Sequence, residues 1–396
     1  MNLRDDARGL SDDLVRLRRS LHRIPETGLA LPRTQEAVLA ELDGLPLEVS
    51  TGERLSSVTA VLRGGQPGPV VLLRGDMDAL PVTERTGLDF AADNDRMHAC
   101  GHDLHTAMLA GAAKLLSAHR DRLAGDVLFM FQPGEESHDG ARHMLDEGLL
   151  DAAGQRPAAA YALHVLSAGL PGGVFRTRGG PALAASNVLR VTVRGEGGHG
   201  SMPFRAKDPV QAACAMVTAL QAWITRTFDV FDPVVLTVGT FHAGTQQNVI
   251  PDTAVFEATV RSFSDAAQAR VKDGTVEVCR GIAAAYGVGV DADFVEGYPV
   301  TVNDHAEADF AANAVREVLG EERFAPMTQP LAGAEDFSRV LAEVPGAMIL
   351  LGAPPAGADH ERSPNNHSPL AEFDDAVLAD GATMYAELAT RRLSKV

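Results

Sequence analysis

Three segments of this sequence gather carboxylates, imidazoles and a thiol at spacings of one or two residues. In RGDMDALP, Asp76 and Asp78 stand two apart, directly after the apolar run VVLLR. In an extended chain both side chains point to one side. Two carboxylates at a strand's carboxyl end can orient metal ligands, although a solvated turn has the same composition. HACGHDLH carries His98, Cys100, His102, Asp103 and His105 on a glycine-hinged loop just ahead of a helical pattern. Thiolate and imidazole are good metal ligands, and the spacing lets Cys100 and His102 converge. A cysteine nucleophile with a histidine base would use the same residues. FQPGEE places adjacent Glu135 and Glu136 after another apolar run. Buried and charged together they would repel; a metal would neutralise one while the other takes a proton from activated water. His164 ends the run AAYALHV, and His367 lies in NNHSP. Either alone is as consistent with a structural histidine. Together the clusters offer Cys, His, Glu, His and His, the inventory for two metals bridged by water.

These residues need elements that bring them to one place. Ser11 to His22 and Arg33 to Asp43 have helical periodicity. Short apolar runs follow at Val58–Leu62, Val70–Leu73, Val127–Phe131 and Ala160–Val165, with an amphipathic pattern at Leu104–His119 between the second and third. Apolar runs separated by helices predict an α/β catalytic domain with a mostly parallel mixed sheet flanked by helices. Active sites of such sheets gather at the carboxyl ends of the strands. The middle of the chain reads differently. Leu189, Val191 and Val193 alternate with polar residues, then come a helix over Pro209–Thr227, strands Val234–Phe241 and Val255–Ser262, a helix near Ala266–Tyr286 and a strand near Val288–Phe294. That order is β-α-β-β-α-β, the split βαβ or ferredoxin-like arrangement. Residues 185–296 are therefore expected as an inserted domain between two catalytic parts, 1–184 and 297–396. Arg261 falls on the polar face of its strand, opposite Phe256, Ala258 and Val260. A cleft residue and a sheet-surface ion pair would both sit there.

Composition narrows the partners. The chain has 396 residues, 45% of them hydrophobic, and a net charge of −18. That length suggests two domains, or one with a large insertion. The charge repels phosphate backbones and anionic bilayers, so neither nucleic acid nor membrane is expected as a partner. Met1 to Leu10 is polar, and no run is long enough to span a bilayer, so a soluble cytoplasmic protein is expected. Three cysteines cannot form a disulfide framework. Cys214 in VQAACAMV and Cys279 in VEVCRGIAAA read as small core residues.

The ordered set LHRIPETG, RGDMDALPV, MHACGHDLHTAMLAGAA, FQPGEE, GGHGSMP, NVIPDTAVFEATVR, GAEDFS and NNHSP resembles the M20 metallopeptidase family across nearly the whole chain. The branch it looks like is that of hippurate and auxin-conjugate amidohydrolases. The resemblance implies Cys100, His102, Glu136, His164 and His367 as ligands of two divalent ions, drawn from zinc, manganese, cobalt or nickel. Cys100 stands where other branches use an aspartate. Glu135 is implied as general base and Asp78 as the carboxylate that orients a ligand histidine. His199 would serve the developing oxyanion, supplied in related dimers by the partner subunit. Asn248 and Arg261 would grip the substrate carboxylate, and Gly333 and Glu335 would line the substrate pocket. The insertion would be a lid and dimerisation domain, giving a homodimer or a tetramer of paired dimers. The implied activity is hydrolysis of the amide bond of a small-molecule N-acyl amino acid. An N-acetyl-diaminopimelate-type deacetylase is the alternative; a cysteine-nucleophile hydrolase and a non-catalytic binding protein are further readings. Phe204 where the family has a histidine, Gly200 and Ser201 after His199, and the displaced Pro171 bear on substrate preference.

Overall fold

The computed structural model describes residues 2–394. The chain separates into two compact units. One holds the residues up to Ala182, Val302–Gln329 and those from Asp336 on; the other holds Leu183–Thr301 and Pro330–Glu335. Among the described residues, no helix is long and apolar enough to cross a membrane.

The first unit is organised by apolar runs without polar alternation, which need cover on both faces. Its strands are β1 (Leu47–Thr51), β2 (Val58–Leu62), β3 (Gln66–Asp76), β4 (Ala124–Gln132), β5 (Ala159–Leu166), β6 (Phe175–Arg176) and β7 (Gly346–Gly352). They form one sheet in the order β1-β2-β4-β3-β5-β7-β6. β3–β4, β3–β5 and β5–β7 are parallel. β1–β2, β2–β4 and β6–β7 are antiparallel. The sheet is thus mixed, parallel at its centre only, rather than mostly parallel as expected. Residues 52–57, which join β1 to β2, are too few for a parallel crossover, which takes about a dozen. Three helices cover the centre: α1 (Ser11–His22), α2 (His102–Ala118) and α3 (Leu378–Leu393). α2 packs against α1, α3 and β3. It is buried from His102 through Ala113, so it is apolar nearly all round, as an interior helix must be. Within that stretch His102, Asp103, His105 and Thr106 are the exceptions, and all four lie at its start.

The central strands part at one place. β3 and β5 stay in register from Val71↔Ala159 to Arg74↔Ala162 and no further. β5 continues beside β7 to Leu166↔Gly352, and β3 beside β4 to Asp76↔Gln132. A seam therefore opens between β3 and β5 at their carboxyl ends. The chain leaves β3 for β4 on one side, then returns to β5 on the other. This is the switch point at which open α/β sheets bind ligands.

The second unit has four long strands, Ala185–Arg194, Val234–Ala243, Thr253–Ser262 and Gly289–Glu296, and two helices, Pro209–Thr227 and Asp265–Tyr286. In chain order they run β-α-β-β-α-β, and every neighbouring strand pair is antiparallel. Along Thr253–Ser262, alternate residues Ala254, Phe256, Ala258 and Val260 are buried. Helix residues Val271, Thr275, Cys279 and Ala283 recur every fourth position and are also buried. Asp208 caps the first helix by accepting from Val210 N–H, with Pro209 at its first turn. Cys279 is buried as expected, but Cys214 is exposed. Ala212, Ala213, Met216 and Leu220 take the buried stripe of that helix, and Cys214 falls outside it.

Candidate metal centre

Chain turns beside the β3–β5 seam deliver the clustered residues. Cys100 and His102 flank Gly101, whose φ is +83°. A Cβ at Gly101 would stand 2.4 Å from Val165 Cγ2 and 3.1 Å from Phe373 Cε1. Only glycine meets both the conformation and the space. Glu135 and Glu136 follow β4 after Gly134. The turn that carries them holds Ser137 at φ +67° and Asp139 at φ +54°. Arg339 grips the Asp139 carboxylate with a two-bond fork, Nε to Oδ1 at 3.1 Å and Nη2 to Oδ2 at 2.8 Å. His367 is left-handed too, at φ +72°, and donates its backbone N–H to Ala99 O at 2.8 Å. Among the described residues, these are the three non-glycine residues with positive φ. His367 is itself a candidate ligand, Ser137 follows Glu136 and Asp139 lies in the same turn, where stored strain commonly serves function.

The ligand atoms converge in overlapping sets. Those of Cys100, His102 and His164 lie within 4.8 Å of one another, as do those of Cys100, Glu136 and His367, and those of His102, Glu135 and Glu136. Cys100 Sγ belongs to the first two sets. It lies 3.5 Å from His164 Nε2 and 3.2 Å from His367 Nε2, and Glu136 Oε1 lies 3.1 Å from His367 Nε2. His164 donates Nδ1–H to Val165 O at 2.8 Å, which leaves the Nε2 lone pair toward the sulfur. Both nitrogens of His102 are buried without a hydrogen-bond partner. Asp76 Oδ2 and Asp78 Oδ1 are each 3.6 Å from them, outside bonding range. Asp78 also accepts from the N–H groups of Glu135 at 2.9 Å and Glu136 at 3.0 Å. It therefore fixes the Glu-Glu turn as well as facing His102.

The electrostatics call for a cation. Burial disfavours a Cys100 thiolate, yet His164 and His102 hold its pKa well below the ordinary thiol range. Burial and the Cys100 charge push Glu136 up. Burial opposes charge on His102, but Asp76, Asp78 and Cys100 raise its pKa well above the usual value. Thiolate and carboxylate charge is thus packed around imidazoles that it drives toward protonation, positive charge that a metal ion could supply in its place. Thiolate, imidazole and carboxylate form a donor set suited to zinc and its first-row neighbours. Two ligand sets that share one sulfur, with His102 orphaned between carboxylates, fit two divalent ions.

Residues 72–391 match peptidase family M20/M25/M40. This chain belongs to that family. It is 35% identical to Thermostable carboxypeptidase 1 of Saccharolobus solfataricus, over 99% of this chain and 98% of that protein. It is 36% identical to IAA-amino acid hydrolase ILR1-like 4 of Arabidopsis thaliana, over 96% of this chain and 86% of that protein. Its fold is like that of the Bacillus subtilis YXEP protein, a dinuclear metal binding peptidase of family M20. The TM-score is 0.84 and the identity 30%, covering 98% of this chain and 100% of that one.

The remaining residues that the M20 resemblance singles out lie in the second unit. His199 and Asn248 come together there: His199 pairs with Val249 in a short ribbon, and Gly200 N–H donates to Asn248 O at 2.8 Å. His199 is exposed. Its Nδ1 accepts from Ser201 N–H at 3.1 Å and lies 2.9 Å from Ser201 Oγ. An acceptor at Nδ1 puts the ring proton on Nε2. Arg261 is half-buried on the strand face opposite Phe256, Ala258 and Val260, and burial lowers its pKa. Gly333 is exposed and accepts Ala184 N–H at 2.9 Å, whereas Glu335 is buried. Sequence reasoning missed several residues of the first unit. Asn366 donates to Cys100 O at 3.2 Å and to Val165 O at 3.0 Å, tying two ligand segments together. Its only signal was its place beside His367 in NNHSP. Arg74, Gln132 and Asp336 form a buried network behind Asp76, with Arg74 Nη1 2.6 Å from Asp76 Oδ2.

Proposed function

We propose that this M20 chain is an amidohydrolase that uses two divalent ions to hydrolyse the amide bond of small-molecule N-acyl amino acids. The products are a carboxylic acid and a free amino acid. One observation carries the reading: Cys100 is shared by two ligand sets while buried Glu135 lies beside His102 and Glu136. Relatives named as a carboxypeptidase and an IAA-amino acid hydrolase support it.

Cys100, His102, Glu136, His164 and His367 would hold the ions. Zinc suits the thiolate, and manganese, cobalt or nickel suit the His and Glu ligands. Bound there, the ions supply Lewis acidity toward the amide carbonyl and lower the pKa of the attacking water. The chain's own groups do the rest. Glu135 takes the proton of the attacking water and hands it to the leaving nitrogen. Asp78 keeps that carboxyl in place through the backbone of Glu135 and Glu136. His199, protonated on Nε2, donates to the developing oxyanion. Arg261, with its guanidinium fork, and Asn248 hold the substrate carboxylate, while Gly333 and Glu335 line the substrate pocket. Residues 185–296 form the ferredoxin-like lid and dimerisation domain, between catalytic parts 1–184 and 297–396. The working form is a cytoplasmic homodimer without nucleic-acid or membrane partners.

The test is release of free amino acid from N-acetyl and N-benzoyl amino acids, before and after EDTA, with Zn²⁺ or Mn²⁺ added back. Turnover should vanish with the chelator, return with metal and fall by roughly 10²- to 10⁴-fold in Glu135→Ala. Turnover that survives without metal would overturn the reading and point to Cys100 as a nucleophile.

A further inference from the structure

His105 stands among the candidate ligands. One nitrogen of His105 lies within 4.8 Å of ligand atoms of Asp76 and His102, and its ring centroid is 4.8 Å from that of His164. Its hydrogen bonds give it other work. The backbone N–H of Val165 donates to His105 Nε2 at 2.8 Å. A backbone amide can only donate, so Nε2 must be the unprotonated nitrogen. The proton then sits on Nδ1 and is donated to Asp76 Oδ1 at 2.5 Å. Neither lone pair nor proton is left for an ion.

The position of this bond explains its use. β5 loses β3 as a ladder partner after Ala162. Leu163 and Val165 then carry N–H groups toward the seam, buried and in need of acceptors. Tyr385 hydroxyl accepts from Leu163 N–H at 3.0 Å and donates to Arg74 O at 2.6 Å. His105 does the same one step further along, from Val165 to Asp76. The two side chains bridge the gap where the ladder ends. His164 lies between the two residues so held.

We propose that His105 is a positioning residue: with Tyr385 it bridges the β3–β5 seam and holds the backbone that aims His164 Nε2. The proposal rests on the two-ion reading above. It separates His105 from the ligands despite its place in HDLH.

The experiment is titration of metal-free protein with Co²⁺, reading stoichiometry, stepwise affinity and the visible cobalt bands, for the wild type, His105→Leu and His105→Gln. Glutamine offers an amide carbonyl for Val165 N–H and an amide N–H for Asp76. We expect the wild type to take two ions. His105→Leu should keep one affinity and lose about 10- to 100-fold in the other, the usual cost of removing an outer support. His105→Gln should restore both affinities and the wild-type bands, and it decides the matter if the leucine variant fails to fold. Loss of an ion in His105→Gln would make His105 a ligand and overturn the proposal. Unchanged binding in His105→Leu would overturn it as well, leaving the two-ion reading intact. A wild type that binds no cobalt would sink that reading, and this inference with it.

Discussion

Replacing Gly101 with alanine tests the geometry of the ligand loop. The methyl group meets two separate penalties. At φ +83° a residue with a Cβ costs about 1–2 kcal/mol. The new Cβ would also sit 2.4 Å from Val165 Cγ2 and within 3.2 Å of the Phe373 ring. Neither neighbour can swing into open space, because Val165 is fully buried and Phe373 nearly so. Overpacking of this kind costs about 1–3 kcal/mol. The sum, roughly 2–5 kcal/mol, should lower the unfolding temperature by on the order of 10 °C. The loop should also shift, since Cys100 and His102 flank the change. The assay is thermal unfolding with and without metal, run on Gly101→Ala, Val165→Ala and the double variant. Removing Val165 Cγ2 relieves the clash and leaves the backbone penalty. The double variant should therefore be more stable than the sum of the single effects predicts, by about 1–2 kcal/mol. Wild-type stability in Gly101→Ala, or strict additivity in the cycle, would refute the reasoning.

Further outcomes follow from the same geometry. Glu135→Ala should retain both ions while turnover falls by roughly 10²- to 10⁴-fold, checked by metal content alongside the assay. Arg339→Met removes the fork on Asp139 and should weaken metal binding by about 10- to 100-fold. Ser137→Gly, which relieves a left-handed φ of +67°, should raise stability by about 1 kcal/mol in a melt. Thiol titration of the metal-loaded native chain should find Cys214 reactive. Cys279 should not react, being buried with its thiol pushed up to about 12, and Cys100 should become reactive only after chelation. Arg261→Ala should raise KM far more than it lowers kcat. That difference should disappear for a substrate whose carboxylate is amidated.

What the sequence discloses depends on how local the cause is. The buried strands are legible because Val70–Leu73 and Val127–Phe131 are apolar without alternation. The helix over Pro209–Thr227 is legible at its start, where Asp208 and Pro209 stand. Glu135, Glu136 and His164 are legible because each sits at the end of an apolar run, and strand ends converge in an α/β sheet; Cys100 and His102 are legible from their spacing ahead of a helical pattern, and His367, in NNHSP, from the family resemblance. The sheet margins are less so: β1 (Leu47–Thr51) is largely exposed, so no hydrophobic pattern announces it. The orientation of Cys214 depends on which stripe of its helix meets the sheet, and a run of small apolar residues leaves that stripe undefined. The role of His105 depends on a backbone amide 60 residues away, and the Arg339 fork on a partner 200 residues away. Spacing within a motif carries no trace of such partners, and HDLH on its own reads as a ligand pattern.

The central claim is that Cys100, His102, Glu136, His164 and His367 would hold two ions. The most direct measurement is an anomalous difference map from crystals of the zinc-loaded protein, collected on both sides of the zinc edge. The account predicts two peaks per chain, one among Cys100, His102 and His164 and the other among Cys100, Glu136 and His367. A single peak, or peaks away from these residues, would contradict it.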